Sequence, residues 1–413
     1  MNNQKSEMVG IISYNIHSSH MNYGAALHSF AFQVYLRRLG VNSVVVDYYP
    51  QNMEGYSIKY PFLNYLRFWR IRSFLRHQAN WLLGEPNNLA KYKKFQQFFN
   101  ANIKKTKKSY SHEELMSISD IENVPFDTFV CESDVIWKLY GIGDFNDVFL
   151  LNFPAANKCK KIAYSPSLGA RAFNEKEANV FEEKVKDFYS ISTREEQGAI
   201  YLSKLLNRKI DWVLDPTMLL TAEDYSRLAV KPKETKYLLV YNCMVNDKMM
   251  VSEARKLARK KNLQMIEISN FFINKFAFSH RVKTDVGIEE FLGYFKYADI
   301  IVCNAFHGCC FANIFNRQFF LFQRDKSDYR MKNITDALGE SDHFISCDDK
   351  RIPLATQPID YKMVNEKIEE LRAKSTKFIV DSLNLDNQHN HGLGEIISLA
   401  NPRKIAKTWR IAG

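Results

Sequence analysis

Apolar positions along this chain fall into two patterns, which are short continuous runs and stripes with a spacing of three or four residues. Continuous runs are typical of buried strands, and the spaced stripes are typical of amphipathic helices. Within residues 287–322 the order is a helical stripe at 288–295, an apolar run at 299–303, a helix at 309–315 and a last run at 318–322. This alternation predicts a doubly wound parallel sheet, in which ligands bind beyond the carboxyl ends of the strands.

The same alternation extends over most of the chain and predicts an α/β fold. Strands are also expected at residues 9–14, 44–49, 126–131, 162–165, 189–193, 211–214, 237–241 and 264–268. Helices are expected at residues 24–39, 175–187, 247–260, 333–338 and 361–383, and a further one opens at Glu195. Asp215-Pro216 interrupts the series, because proline cannot continue a central strand. The pattern then restarts, so we expect two Rossmann-like halves with their boundary in the region 221–232.

This division gives an N-terminal domain of residues 1–222, a C-terminal domain of residues 223–385 and a polar tail of residues 386–413. A basic, aromatic insertion occupies about residues 55–110 of the first domain. Its segment 60–83 interleaves arginines with tyrosine, phenylalanine and tryptophan. Two interpretations stay open: a helical insertion that packs its rings inward and solvates its arginines, or an amphipathic segment that lies on an anionic bilayer.

Composition narrows the classes of function. Hydrophobic residues make up 46% of the 413 residues and aromatic residues 14%, which is typical of a packed globular protein. No apolar run is long enough to span a bilayer and no apolar signal segment opens the chain, so we expect a cytoplasmic protein. The formal charge of +11 suggests an acidic partner such as nucleic acid, anionic lipid or a phosphorylated small molecule. No nucleic-acid-binding motif accompanies the charge, which argues against nucleic acid.

Seven cysteines are scattered along the chain without the paired spacing of a zinc site or of a disulfide framework. Three of them, Cys303, Cys309 and Cys310, surround His307. We interpret the cysteines as small buried thiols in a reducing compartment and expect no metal.

His307 is the leading candidate for chemistry. It lies between a predicted strand and the start of the helix that follows, one residue before Gly308. Imidazole exchanges protons near neutral pH without any perturbation, although a loop histidine in a satisfied hydrogen bond is the alternative. Asn22, Tyr23 and Gly24 stand at another helix start, where backbone N–H groups can hold an anion or where Asn and Gly serve only as caps.

Arg194 and Asp134 stand beyond two strands of the first half. Each has a purely structural interpretation as well, which is a salt bridge to the following glutamates for Arg194 and a helix cap for Asp134. We interpret Asp215-Pro216 as a turn at the hinge. Three histidines are interpreted as loop or helix-surface residues: His17, His20 and His28.

Six short segments, in order along the chain, resemble the polysaccharide pyruvyl transferase family. They are NYGAAL at 22–27, SDVIW at 133–137, AYSPSLG at 163–169, STRE at 192–195, VLDPT at 213–217 and FHG at 306–308. Two Rossmann-like halves joined by a linker are also found in GT-B-type glycosyltransferases, so the expected fold is GT-B-like with a cleft between the domains. The chain departs from the family pattern at Glu132, where glycine is common, and at Ala305, where a serine or an arginine is common.

The resemblance implies transfer of a pyruvyl group from phosphoenolpyruvate to two hydroxyls of a sugar, forming a cyclic ketal in bacterial capsule or exopolysaccharide assembly. No cofactor is implied, since phosphoenolpyruvate is the donor substrate. The acceptor is a saccharide that we expect to be lipid-linked. Such an acceptor would give the basic aromatic segment and the excess charge a use at the inner face of the membrane.

Under this hypothesis His307 is the general acid or base, and Asp134 orients His307 or the acceptor hydroxyls. The donor carries a phosphate and a carboxylate, which cationic side chains and helix N-termini can hold. The residues expected to bind substrate are Arg194, Arg330, Arg324, Asn22, Tyr23, Gly24, Ser133, Ser167, Asn304 and Gly308.

Two other functions stay open. A GT-B-type glycosyltransferase that uses a nucleotide sugar would share the architecture, although no C-terminal donor motif with a ribose-binding acid is recognisable. A non-catalytic protein of envelope assembly is the second, and the departures at Glu132 and Ala305 are its support.

Overall fold

The computed structural model describes residues 7–15, 21–50, 89–139, 145–169, 172–243, 245–271, 274, 280–326, 329–353 and 355–385. The basic aromatic segment at 60–83, the tail at 386–413 and two of the histidines, His17 and His20, lie outside these residues.

Six strands of the first half form one parallel sheet. The strands of this half are β1 (Met8–Ile12), β2 (Asn42–Val45), β3 (Tyr48–Tyr49), β4 (Tyr110–Ser111), β5 (Thr128–Glu132), β6 (Lys160–Tyr164), β7 (Ser190–Thr193) and β8 (Asp211–Trp212). β3 and β4 pair with each other, and the remaining six run in the order β2-β1-β5-β6-β7-β8. Every residue of the central strand β5 is buried, as expected for a parallel strand covered on both faces.

A second six-stranded parallel sheet lies in the other half. Its strands are β9 (Tyr237–Asn242), β10 (Gln264–Ser269), β11 (Arg281–Lys283), β12 (Ile300–Cys303), β13 (Gln318–Phe322) and β14 (Phe344–Ile345). They run in the order β11-β10-β9-β12-β13-β14. The two sheets confirm the predicted α/β fold with two Rossmann-like, GT-B-like halves. The predicted strand at 44–49 is wrong as one element, because its two ends pair with different partners, β1 and β4.

Helices connect the strands in both halves. They are α1 (Tyr23–Arg38), α2 (residues 89–102), α3 (His112–Ser117), α4 (Glu175–Val185), α5 (Glu196–Leu205), α6 (Ala222–Ser226), α7 (Lys248–Lys260), α8 (Ile288–Tyr297), α9 (Phe306–Ile314), α10 (Tyr329–Leu338) and α11 (Tyr361–Leu383). Two short 3₁₀ turns are formed by Pro216–Leu219 and by Ser341–His343. No helix within the described ranges is long and apolar enough to cross a bilayer.

α1 is the helix around which the two halves pack. Its residues from Tyr23 to Leu36 are all buried, so it is enclosed on every side rather than on one face. The hydroxyl of Tyr23 donates to the carbonyl of Val286 in the second half at 2.9 Å. Near the other end, the Tyr35 hydroxyl lies 2.6 Å from Oγ1 of Thr376 in α11.

The last helix returns to the first half. Ser375 of α11 accepts a hydrogen bond from the backbone of Leu214 at 2.9 Å, and Lys160 donates to the carbonyl of Ser382 at 3.2 Å. One apolar core includes residues of both sheets, from Val9 to Leu385. The division of the chain at residues 222 and 223 stays a prediction.

Candidate active site

Side chains from the carboxyl ends of both sheets meet in a buried cluster. His307 follows β12 of the second sheet, and Asp215 follows β8 of the first. Nε2 of His307 lies 3.5 Å from Oδ2 of Asp215, and both side chains are buried. The two halves therefore each contribute one member of an acid–imidazole pair.

Gly24 leaves the space that the imidazole of His307 occupies. α9 begins at Phe306, so the predicted helix start at 309 is wrong and His307 lies in the first turn. A Cβ atom on Gly24 would stand 2.0 Å from Nδ1 of His307, far inside a van der Waals contact. The ring therefore lies against the first turn of α1, and glycine is needed at position 24 because of this close approach.

Asp215 was interpreted from the sequence as a hinge turn without chemistry, and this is only half of its role. One carboxylate oxygen caps the 3₁₀ turn by accepting from the backbone of Thr217 at 3.0 Å. The other oxygen accepts from Ser133 at 2.7 Å and from Arg194 at 3.1 Å, and faces His307. Burial alone would raise the pKa of Asp215, but the charges of His307 and Arg194 outweigh it and hold the pKa well below its usual value.

The signal for Asp215 was present in the sequence. VLDPT, at 213–217, is one of the six segments that resemble the family, and an aspartate in an otherwise apolar stretch needs a partner when it is buried. The proline beside it drew attention to the turn instead.

Arg194 connects the acidic side chains of the cluster. Its guanidinium lies 3.1 Å from Asp215, 3.3 Å from Glu195 and 3.9 Å from Asp134, and it is almost fully buried. It also stacks over the ring of Phe306, at 4.1 Å from the centroid. The expected salt bridge to a following glutamate is present at Glu195, while binding of a substrate anion by Arg194 stays a proposal.

Ser133 and Asp134 turn the chain sharply after β5. Both have a left-handed backbone, with φ of 51° and 52°, which is uncommon for residues other than glycine. The turn directs Ser133 to Asp215, and Asp134 accepts a long hydrogen bond of 3.5 Å from the amide of Asn22. Asn22 in turn caps α1 by accepting from the backbone of Gly24 at 2.9 Å.

His28 and Glu132 form a second acid–imidazole pair, and the interpretation of His28 as a surface residue is wrong. Both side chains are completely buried, and Nδ1 of His28 lies 3.0 Å from each oxygen of Glu132. Burial opposes the charge on His28, but the adjacent carboxylate raises its pKa overall. The ring lies nearly parallel to that of His307, with centroids 6.0 Å apart. Glu132, where the chain departs from the family pattern, therefore has a specific partner beside the site, which is His28.

The predicted residues Tyr23, Gly308 and Ser167 lie close to this cluster and are held by the protein. The ring of Tyr23 stacks on Phe291 at 4.4 Å, in addition to the hydrogen bond of its hydroxyl. Gly308 allows α9 to approach β12, because a Cβ there would meet Cys303 at 2.9 Å. The backbone of Ser167 donates to the carbonyl of Asp134 at 2.8 Å.

The remaining predicted residues lie further from the pair. Asn304 is buried and donates to the carbonyl of Val245 at 2.9 Å. Arg330, in α10, is partly buried and interacts with Glu195. Burial raises the pKa of Glu195, and the charges of Arg194 and Arg330 oppose that rise. Arg324 follows β13 and is partly exposed.

The cysteines behave as buried thiols rather than as reactive ones. Five of the seven are buried, and burial raises the pKa of Cys303 to about 12. Within the described ranges, no group of three or more His, Cys, Asp and Glu side chains is arranged to hold a metal ion.

Solved structures of a glycosyltransferase and of UDP-GlcNAc 2-epimerases align with most of the chain at low identity. They include a glycosyltransferase from Rickettsia africae (10% identity, 96% of this chain and 100% of that one, TM-score 0.48) and UDP-N-acetylglucosamine 2-epimerase from Rickettsia bellii (11%, 93% and 98%, TM-score 0.43). The UDP-GlcNAc 2-epimerase of Methanocaldococcus jannaschii, in complex with UDP-GlcNAc and UDP, gives 12% identity, coverage of 88% and 92%, and a TM-score of 0.40. A search of curated proteins gave no match.

The family is established by the sequence itself. A family model described as polysaccharide pyruvyl transferase matches residues 22–326, which is most of the chain. The matched range begins at the cap of α1 and includes Asp134, Arg194, Asp215 and His307. The chain therefore belongs to the polysaccharide pyruvyl transferase family.

Proposed function

We propose that this protein transfers a pyruvyl group from phosphoenolpyruvate to two hydroxyls of a saccharide. The observation that carries the proposal is the buried pair of His307 and Asp215, contributed by the two halves of the fold. The reaction needs a group that gives a proton to the enol carbon and takes one from a hydroxyl, and imidazole suits both tasks near neutral pH. An ionised Asp215 would orient the ring and stabilise the imidazolium.

In the proposed reaction the imidazolium of His307 gives its proton to C3 of phosphoenolpyruvate, and the first sugar hydroxyl adds to C2. The second hydroxyl then adds to C2 as the bond between C2 and the phosphate oxygen breaks. One of the two hydroxyl protons restores the imidazolium, and the other leaves with the phosphate. The products are a cyclic ketal with a new methyl group and inorganic phosphate.

The donor's negative charges require cations beyond Arg194. Because Arg194 already contacts three carboxylates, its charge is largely compensated before any donor binds. Burial lowers the pKa of Lys138, the negative charge of Asp134 opposes that fall, and the positive charge of Arg330 adds to it. Arg330 of the second half and Lys138 of the first therefore lie close enough to repel. An anion between two such cations relieves the repulsion, so we expect both to contribute to donor binding.

The proposed acceptor is a lipid-linked saccharide of capsule or exopolysaccharide assembly, modified at the cytoplasmic face of the membrane. The net charge of +11 supports a substrate or surface that carries phosphate. No cofactor is proposed, since phosphoenolpyruvate supplies both the transferred group and the leaving phosphate.

Phosphate release from phosphoenolpyruvate tests the proposal. Wild type, His307→Ala and Asp215→Asn would be assayed with galactosides, mannosides, glucosides and a polyprenyl-diphosphate saccharide. We expect saccharide-dependent release that falls by about 100-fold or more in both variants, with thermal unfolding as the control for folding. Full activity of His307→Ala would refute its role. Stabilisation by a nucleotide sugar and none by phosphoenolpyruvate would favour a glycosyltransferase instead.

A further inference from the structure

Lys91 carries a buried charge for which the described residues provide no counterion. Its side chain, in α2, is only 1% exposed. Nζ donates to Oδ1 of Asn270 at 2.7 Å and lies over the ring of Tyr23, 4.4 Å from the centroid. No carboxylate of the described ranges pairs with it, and burial lowers the pKa of the ammonium to about 8. An ammonium has three N–H donors, and the described residues supply a hydrogen-bond acceptor for one of them.

The position of Lys91 is one where doubly wound folds bind ligands. In the second sheet the strand order reverses between β9 and β12, and the crevice at such a switch point is the general ligand site. Asn270, the partner of Lys91, donates to the carbonyl of Cys243, directly after β9, at 3.0 Å. Asn304, directly after β12, donates to Oδ1 of Asn242 at 3.4 Å. Hydrogen bonds therefore connect Lys91 through Asn270 to the end of β9, and a separate hydrogen bond joins the ends of β9 and β12.

Within the part of the chain that the structure describes, a second buried polar group without a partner, on Asn304, lies at the same edge of the second sheet, directly after β12. Oδ1 of Asn304 is buried and, among the described residues, accepts no hydrogen bond. A buried amide oxygen without a donor costs free energy, as does an ammonium without an acceptor. A ligand that presents an anionic oxygen to Lys91 and a hydroxyl to Asn304 would satisfy both groups.

We propose that Lys91 binds a phosphate group of a substrate at the carboxyl edge of the second sheet, with Asn304 accepting from a sugar hydroxyl. This inference rests on the proposed function for the source of the phosphate. Two sources share the chemistry, which are the diphosphate of a lipid-linked acceptor and the phosphate of phosphoenolpyruvate. Asn304 is three residues before His307, in the short connection that leads from β12 into α9.

The alternative is that Lys91 only fastens α2 to Tyr23 and Asn270. The two roles differ in their effect on the ligand-free protein. A fastening lysine stabilises the fold, so Lys91→Met would lower the melting temperature. A lysine kept for ligand binding is buried at a net cost, and an apolar side chain of similar length would leave the melting temperature unchanged or raise it.

The test compares wild type, Lys91→Met and Lys91→Gln as full-length proteins, with Lys93→Gln as the matched control. Lys93 is exposed on the same helix, so its replacement removes the same unit of charge without touching the subsite. Calorimetric titration would use phosphoenolpyruvate, inorganic pyrophosphate, citronellyl-diphosphate-linked galactose, mannose and glucose, and the free sugars. Thermal unfolding without ligand would be recorded for each protein.

We expect the Lys91 variants to fold and to bind at least one phosphate probe about tenfold or more weakly, while Lys93→Gln binds like wild type. A loss confined to the diphosphate-linked sugars assigns the acceptor's phosphate, and a loss confined to phosphoenolpyruvate assigns the donor's. Unchanged affinity in the Lys91 variants, or no binding of any phosphate probe by wild type, would overturn the proposal. If wild type releases phosphate from phosphoenolpyruvate but the Lys91 variants bind every phosphate probe as wild type does, the subsite is refuted and the proposed function is not. If the Lys91 variants bind a phosphate probe more weakly but wild type releases no phosphate from phosphoenolpyruvate, the proposed function is refuted and the subsite is not.

Discussion

Replacing Gly24 with alanine tests whether the site depends on the contact between α1 and His307. The new Cβ would stand 2.0 Å from Nδ1 of His307 and 2.4 Å from two ring carbons. Real Cβ contacts are essentially never shorter than 3.0 Å, so the ring must move by about 1 Å. The distance from His307 to Asp215 is already 3.5 Å, at the outer limit of a hydrogen bond. A displacement of this size costs about 100-fold in rate when the moved group does the chemistry.

The same substitution has two opposite effects on stability. Overpacking in a buried contact costs about 1–3 kcal/mol, whereas alanine in place of glycine within a helix gains up to about 1 kcal/mol. We therefore expect Gly24→Ala to change the free energy of unfolding by about −3 to 0 kcal/mol. In a His307→Ala background the three ring atoms nearest to the new Cβ are removed, so the substitution should become neutral or stabilising. The effect of Gly24→Ala on the free energy of unfolding should therefore differ between the two backgrounds by about 2 kcal/mol, which is the coupling free energy between positions 24 and 307.

Urea unfolding of the two single variants, the double variant and wild type measures this coupling without any activity assay. Phosphate release, where a saccharide supports it, measures the rate. Gly198→Ala is the matched control, because Gly198 also lies in the first turn of a helix but its Cβ would stand 3.4 Å from the nearest atom, on Thr193. Equal stability effects of Gly24→Ala in both backgrounds, or wild-type turnover by the single variant, would refute the reasoning.

Two further predictions concern buried charges. Glu132→Gln should lower the free energy of unfolding by about 1–3 kcal/mol, because His28 loses the carboxylate that bonds it through both oxygens. Glu183→Gln, which breaks an exposed ion pair with Lys186, should leave the free energy of unfolding nearly unchanged. Equal urea midpoints for the two variants would contradict this. Burial raises the pKa of Glu340 to about 8 from an unfolded value of 4.5, so the folded protein holds this proton more tightly than the unfolded chain does. The stability associated with this proton, of the order of 5 kcal/mol, is lost as pH rises from about 4.5 through 8. Glu340→Gln should flatten that fall in urea unfolding across the same range, and parallel curves for the two proteins would show that Glu340 does not titrate as expected.

The architecture could be predicted because each element buries its own apolar residues. The run at residues 237–241 is apolar throughout, as a parallel strand covered on both faces is expected to be, and it appears as β9. The run at residues 264–268 is apolar apart from Gln264 and Glu267, and it appears as β10. The prediction of one strand at 44–49 was wrong for a physical reason. The composition suits a strand throughout, but only hydrogen bonding to neighbouring strands decides where one strand ends and the next begins. The helix start at 306 was missed because Ala305 and Phe306 carry no capping side chain.

The candidate site was predictable in part. His307, Arg194 and Asp134 could be named because each follows a strand and lies in a segment that resembles the family. Asp215 was assigned to a turn because its proline neighbour predicts a break, and one sequence position gives no hint that one carboxylate oxygen caps the turn while the other faces Arg194. His28 was assigned to a helix surface because amphipathic spacing presumes an exposed face, and α1 has none.

By itself, the sequence determined the alternation of strands and helices, the two sheets that follow from it and the family to which the chain belongs. These depend on local composition and order, which the chain carries wherever its parts lie in space. Only the tertiary structure decided that Gly24 faces His307, that Glu132 bonds His28 and that Lys91 is buried without a counterion among the described residues. Such contacts join residues 104 to 283 positions apart, and their energies depend on distance and burial, which exist only once both sheets have packed around α1.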